Sequence, residues 1–119
     1  MGVKTNRQKR WSLAQQAKIL KQVSKLLEKG YTLSQALSFL TFQVSNKEKT
    51  DIEKCLEQLK RGESLHDAFV KLQFHRDILS YLYFAEQHGN LQFALKESSS
   101  MIEEKVRHRK KFQKLVQYP

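Results

Sequence analysis

Gly30-Tyr31-Thr32-Leu33-Ser34-Gln35-Ala36-Leu37 returns 32 residues later as Gly62-Glu63-Ser64-Leu65-His66-Asp67-Ala68-Phe69. The two share the pattern Gly-x-[Ser/Thr]-Leu-x-x-Ala-apolar, and a shortened copy, Gly89-Asn90-Leu91-Gln92-Phe93-Ala94-Leu95, follows after 27 more residues. In each copy the glycine suits the left-handed position just past a helix end. The Thr, Ser or Asn behind it is a good N-cap for the next helix. Gln35 completes a capping box, and Asp67 stands in a first turn, where the helix dipole favours an anion. Leucine and alanine three apart share a face, and the small alanine lets two helices approach closely. These corners predict an all-α protein, a six-helix antiparallel bundle of hairpins turning at Gly30, Gly62 and Gly89.

Working outward, the apolar stripes mark six helices. The first begins near Ser12, an N-cap with Gln15 at the capping-box position, and turns Leu13, Ala17, Leu20, Val23 and Leu27 inward. The second is expected from Leu33 to about Val44. Ser45 and Glu48 form the next capping box, ahead of a helix burying Ile52, Cys55, Leu56 and Leu59. A short fourth helix carries Leu65, Ala68, Phe69 and Leu72. The fifth starts around His75, with Ile78, Leu79, Leu82 and Ala85 inward and Tyr81, Tyr83 and Phe84 crowding its flanks. The sixth starts at Asn90 and meets no stop before Tyr118-Pro119. At about 1.5 Å per residue it would run roughly 40 Å, longer than its neighbours can cover. Residues 1–11 read as a basic, flexible N-terminal segment, and 12–117 as a single domain that stops where a transmembrane helix would start.

The chain has 119 residues, 39% of them apolar, enough for one modest core. Its single proline is the last residue, and three of its four glycines stand at the corners, so little interrupts the helices. Its charge-free stretches are too short and too polar to cross a bilayer, and no apolar signal region follows the basic start. The lone Cys55 excludes an internal disulfide, suits a reducing cytosolic compartment, and reads as a small buried apolar residue.

Charge is uneven along the chain. Residues 1–29 carry Lys4, Arg7, Lys9, Arg10, Lys18, Lys21, Lys25 and Lys29 against Glu28 alone. Residues 105–114 carry Lys105, Arg107, Arg109, Lys110, Lys111 and Lys114 with no acid. The stretch between is mildly acidic, so the net charge of +10 belongs to the two ends. Three readings compete: a nucleic-acid surface, a patch facing anionic lipid, and an ordinary solvated face. No zinc-finger cysteines, distinct helix-turn-helix or arginine-aromatic interleaving supports the first. Position supports the second, because a basic cluster followed by Tyr118 is what flanks a transmembrane helix on its cytoplasmic side.

Catalytic chemistry is nearly silent. His66, His75, His88 and His108 are scattered, no ligands stand at metal-binding spacing, and no glycine-rich phosphate loop exists. Ser98-Ser99-Ser100 reads as a small-residue packing face. No enzyme and no cofactor is expected. Glu86 stands apart, because an anion three residues before a corner glycine opposes the helix dipole. Such a residue suggests a use, binding a basic group or the backbone N–H groups of a neighbouring helix or partner. With Tyr81, Tyr83 and Phe84 it forms the candidate partner contact, because aromatics beside a filled inward stripe have to point out.

The Glu86-x-x-Gly89-x-Leu91 corner, preceded by the two Gly-x-[Ser/Thr]-Leu-x-x-Ala corners, resembles the F domain of type II secretion systems. The same domain occurs in platform proteins of type IV pilus and competence pseudopilus machines. The resemblance runs from about Leu20 to Pro119, and Lys114-Leu115-Val116-Gln117-Tyr118-Pro119 is similar to the family's approach to its first transmembrane helix. Gln87-His88 depart from the small residues often found inside that corner. The lysine-rich, acid-poor N-terminus fits the shorter Gram-positive competence members best. The resemblance implies a six-helix bundle occurring twice per protein, of which this is the first copy, held in the cytoplasm by a polytopic cytoplasmic-membrane protein. It implies a scaffold for pseudopilus assembly that docks the hexameric assembly ATPase and other machine components, with an anionic membrane surface beside it and a homodimer allowed. Two rivals belong to other classes: a free-standing helical-repeat adaptor, which should show a 34-residue period, and a basic nucleic-acid-binding bundle.

Overall fold

A computed structural model describes residues 10–117, and the basic residues Lys4, Arg7 and Lys9 and the Tyr118-Pro119 pair lie outside them. Six helices follow one another: α1 (Leu13–Glu28), α2 (Leu33–Leu40), α3 (Asn46–Lys60), α4 (Leu65–Lys71), α5 (Arg76–His88) and α6 (Leu91–Gln117). No strand occurs among the described residues.

The helix starts follow from local chemistry. Ser12, Thr32 and Ser45 each accept a hydrogen bond from the backbone N–H three residues on, and Gln15, Gln35 and Glu48 reach back to the cap N–H. All three are capping boxes. Ser64 caps α4 in the same way through the Asp67 N–H, without the reciprocal bond. The helix ends follow from backbone handedness. Gly30, Gly62 and Gly89 have φ of +102°, +89° and +78°. At Gly62 the N–H donates to the Leu59 carbonyl and that of Glu63 to the Gln58 carbonyl, the paired bonds of a Schellman turn. A fourth left-handed corner, with the same paired bonds as Gly62, closes α4, where the Gln73 N–H donates to Val70 and that of Phe74 to Phe69. Gln73 has φ +62° and no glycine marks it, so the repeat pattern passes over this corner.

One boundary differs from expectation. The second helix stops at Leu40 rather than running to Val44. Thr41, Phe42 and Gln43 turn tightly instead, each N–H donating to the carbonyl three residues back, and the Thr41 hydroxyl takes the Ser38 carbonyl at 2.6 Å. That tightening leaves Ser45 extended, as an N-cap must be.

Consecutive helices pack on one another, and α6 returns along α1 to close the bundle. The α1–α6 pair is antiparallel: the Ser99 hydroxyl donates to the Ala17 carbonyl, whereas Ser24 donates to the Gln92 carbonyl. The seam is made of small side chains, Ala17 and Ser24 against Ala94, Ser98 and Ser99, all buried. Ser98-Ser99 thus form a packing face, while Ser100 is exposed.

The core holds the apolar stripes read from the sequence together with groups the stripes did not show. Trp11, which the sequence reading assigned to the basic N-terminal segment, is only 4% exposed and packs on Phe74. Its indole N–H donates to Asp51 Oδ2 at 2.7 Å. Gln16 is fully buried; its amide donates to the Trp11 carbonyl at 2.9 Å and accepts from the His75 N–H at 2.8 Å. These bonds join the start of α1 to α3 and to the α4–α5 corner.

Trp11→Phe keeps the ring but removes a donor from a buried carboxylate. It should cost about 2 kcal/mol in denaturant unfolding, the range for a buried charged group losing a hydrogen bond. Gln73→Gly should act oppositely. Relief of a left-handed side chain, about 1–2 kcal/mol, exceeds the roughly 0.4–1 kcal/mol of added unfolded-chain entropy. A net gain of about 0.5 kcal/mol in the same unfolding curves is expected.

Candidate functional site

Two surfaces qualify, one at each end of α5. At its first turn the antiparallel pairing of α1 with α6 brings together the two basic segments of the chain. Ala14 and Lys18 of α1 line one cleft with Val106 and Arg107 of α6, and Leu13 lines another with Arg109 and Phe112. Lys21 reaches Glu103 at 3.7 Å, a solvent-exposed ion pair of small energetic weight. Among the six basic residues of 105–114, Lys105 pairs with Asp77 at 3.9 Å and Arg107 with Glu104 at 3.4 Å. No carboxylate lies within ion-pair distance of Arg109, Lys110, Lys111 or Lys114 among the described residues.

Val106 is the last residue of α6 packed against the core, and every described side chain from Arg107 to Val116 is exposed. Beyond Ile102 none of its described side chains is buried. Phe112, Leu115 and Val116 are 69%, 72% and 67% exposed, interleaved with the free cations. Phe112, Leu115 and Val116 fall at i, i+3 and i+4, one helical face. No described helix is long and apolar enough to cross a membrane.

His75 caps the adjoining end of α5, its Nδ1 accepting from the Asp77 N–H at 3.0 Å. Burial lowers its pKa below the ordinary 6.5, and Lys105, Arg10 and Arg76 push the same way against the opposing charge of Asp77. A neutral ring is what the cap requires, because a protonated Nδ1 cannot accept.

The second surface lies at the other end of α5. Tyr81, Tyr83 and Phe84 are all exposed, Phe84 by 65%. Tyr83 meets the His66 ring edge-on at 5.5 Å, and Phe84 stacks on His88 at 5.9 Å. Glu86 sits among them, but its carboxylate is engaged within the fold. Oε2 accepts from the Leu65 N–H at 2.7 Å and Oε1 from the His66 N–H at 3.0 Å. The anion that opposes the dipole of α5 lies at the N-terminus of α4, where N–H groups are free and negative charge is favoured. Of the uses open to Glu86, the neighbouring-helix one is realised, and the aromatics remain as the accessible part of this face. The two surfaces are separate, with Tyr83 and Phe84 roughly 10–12 Å along α5 from Arg76.

Cys55 is buried, and burial, helped by nearby Asp51, pushes its thiol up to about 12, so at neutral pH it is protonated and a poor nucleophile. No group of three or more His, Cys, Asp or Glu suited to a metal occurs among the described residues. The sequence reading missed Gln16, Asp51 and the grouping of Arg10, Arg76 and Arg109 around one cavity. Gln16 did leave a signal, because it falls in step with Leu20 and Val23 on the inward face of α1. The arginines left none, since they belong to three separate elements.

The six helices form an all-α bundle with glycine corners and exposed aromatic and basic faces. Residues 19–119 match the family described as Type II secretion system (T2SS), protein F, and the chain belongs to that family. It is similar to ComG operon protein 2 of Bacillus subtilis (strain 168), 27% identical over 90 residues, covering 76% of this chain and 28% of that protein. The ComG operon protein 2 homolog of Halalkalibacterium halodurans is 28% identical over 94 residues, covering 79% of this chain and 29% of that protein. The matched stretch is thus under a third of either relative's length.

Two outcomes test this geometry. Glu86→Ala should destabilise the domain by about 2 kcal/mol, since two N–H groups lose a charged acceptor while Ser64 still caps α4. Urea denaturation with Glu86→Gln as an intermediate case measures it. For His75 the folded pKa lies below the unfolded one, so as pH falls through 6.5 the unfolded chain takes up the proton first. This contribution to stability is therefore present above pH 6.5 and is lost on acidification. The stability difference between wild type and His75→Asn, whose cap does not titrate, should shrink between pH 7 and pH 5.

Proposed function

We propose that this chain is a cytoplasmic domain of a polytopic membrane platform protein that scaffolds assembly of a type II secretion or type IV pilus-like pseudopilus, of the competence type. Its partners are the assembly ATPase and other components of that machine, a second copy of the domain, and the anionic leaflet beside which it lies. It acts by contact and carries out no catalysis. Membership of the protein F family and similarity to the two ComG relatives support the machine.

The observation that carries the placement is the far half of α6. There Arg109, Lys110, Lys111 and Lys114, without ion-pair partners among the described residues, are interspersed with exposed Phe112, Leu115 and Val116. A cation beside an anionic leaflet gains about 1 kcal/mol, and exposed apolar side chains at the same depth add burial. At the opposite end of α5, exposed Tyr83 and Phe84 supply the aromatic anchors that protein contacts use.

The domain should co-sediment with vesicles in proportion to their phosphatidylglycerol content and come off in high salt. Equal binding to neutral vesicles overturns the membrane placement. Phe84→Ala and Tyr83→Ala should weaken titrated binding to the assembly ATPase by about 2 kcal/mol. Unchanged affinity in both, with unfolding curves intact, removes that face as the docking site. Glu86→Ala does not serve for this purpose, because it perturbs α4.

A further inference from the structure

Arg10, Arg76 and Arg109 come from the lead-in to α1, the first residue of α5 and the far half of α6, and all three line one open cavity of about 730 Å³. Trp11 and Phe74, both buried, line it too. None of the three arginines has a carboxylate within ion-pair distance among the described residues. The nearby acid, Asp77, pairs with Lys105 at 3.9 Å. Converging arginines without acids repel one another, and each guanidinium offers a planar fork of donors matched to phosphate oxygens. The helix N-termini at this cavity are already capped by Ser12 and His75, so the guanidinium groups are the donors a ligand would meet.

A second cavity of about 600 Å³ shares Leu13, His75 and Arg109 with the first and adds Lys105, His108 and Phe112. The combined cleft thus has a three-arginine part and, across Arg109, a mixed part where Leu13 and Phe112 stand with Lys105 and His108. Inorganic phosphate would use only the first. A headgroup that carries its phosphate on a glyceryl ester would use both.

We propose that this cleft is a binding site for the phosphodiester headgroup of an anionic phospholipid, its phosphate held by Arg10, Arg76 and Arg109 and its glycerol end against Leu13 and Phe112. The proposal rests on the leaflet placement given above and deepens it, from a diffuse attraction of cations to one stoichiometric site.

Trp11, the only tryptophan of the chain, lines the cleft and supplies the readout. Dihexanoyl phosphatidylglycerol, added as monomers below its micelle concentration, should change Trp11 fluorescence saturably with one site per chain. Dihexanoyl phosphatidylcholine should bind far more weakly, because its own cation offsets the phosphate. Arg76→Gln/Arg109→Gln should lower the affinity about tenfold or more, the loss expected of charge-assisted hydrogen bonds. Lys49→Gln/Lys54→Gln, an equal change in net charge on exposed positions of α3, should leave it within about twofold. Unfolding curves of both pairs should match wild type, since all four side chains are exposed.

Equal losses in the two pairs, or no saturable response, overturn the site in favour of a diffuse field. Inorganic phosphate binding as tightly as the lipid overturns the lipid source and leaves a phosphate site. Saturable lipid binding without any binding to phosphatidylglycerol vesicles overturns the leaflet placement while the cleft stands. Vesicle binding that ignores Arg76→Gln/Arg109→Gln upholds the placement and overturns the cleft.

Discussion

Gln16 holds three parts of the chain in register from a position without solvent. Its amide donates to the Trp11 carbonyl just before α1 and accepts from the His75 N–H just before α5. Trp11 in turn places its indole N–H on Asp51 of α3. An unmet polar atom here would cost about 1–3 kcal/mol, so the bonds select one arrangement of these segments more sharply than apolar contact does. Phe74 packs between Trp11 and Phe69, at ring-centroid distances of 5.4 and 4.4 Å, and draws the end of α4 into the same knot. The direction in which α5 departs, and with it the position of Arg76 and His75, depends on that knot.

The second constraint is the seam between α1 and α6. Small side chains on both helices let the backbones come close, and serine hydroxyls bridge to carbonyls across the seam in both directions. Because the pair is antiparallel, the start of the chain lies beside the far half of α6. Charges separated by most of the sequence become one basic surface, whose self-repulsion the fold tolerates because the side chains stay in water. The exposed end of α6 beyond Val106 follows from length: α1 has 16 residues and α6 has 27.

Glu86 shows how a local anomaly can be a tertiary device. Its placement against the dipole of α5 is unfavourable by a few tenths of a kcal/mol or more. Two N–H groups at the start of α4 offset that with charge-assisted hydrogen bonds. Its neighbours Tyr83 and Phe84 stay outside because Ile78, Leu82 and Ala85 already fill the inward face of α5. A surface with aromatic side chains at one end and a cationic cleft at the other suits a scaffold that touches two different partners.

The helices and most of their ends are legible in short stretches of sequence, because capping boxes and left-handed glycines act over four or five residues. Ser12, Thr32, Ser45 and Ser64 could be read as caps, and Gly30, Gly62 and Gly89 as corners, without knowing what packs on what. The corner at Gln73 escaped notice because a non-glycine accepts positive φ only when the surrounding packing imposes it. The burial of Trp11 and Asp51 escaped because their hydrogen bond spans 40 residues. The oddity of Glu86 was legible in its position, but the identity of its partners was not, since Leu65 and His66 meet it only across a helix pair. The grouping of Arg10, Arg76 and Arg109 belonged wholly to the tertiary structure. Local rules place a charge on a helix face, and only the packing of three elements decides which faces share a cavity.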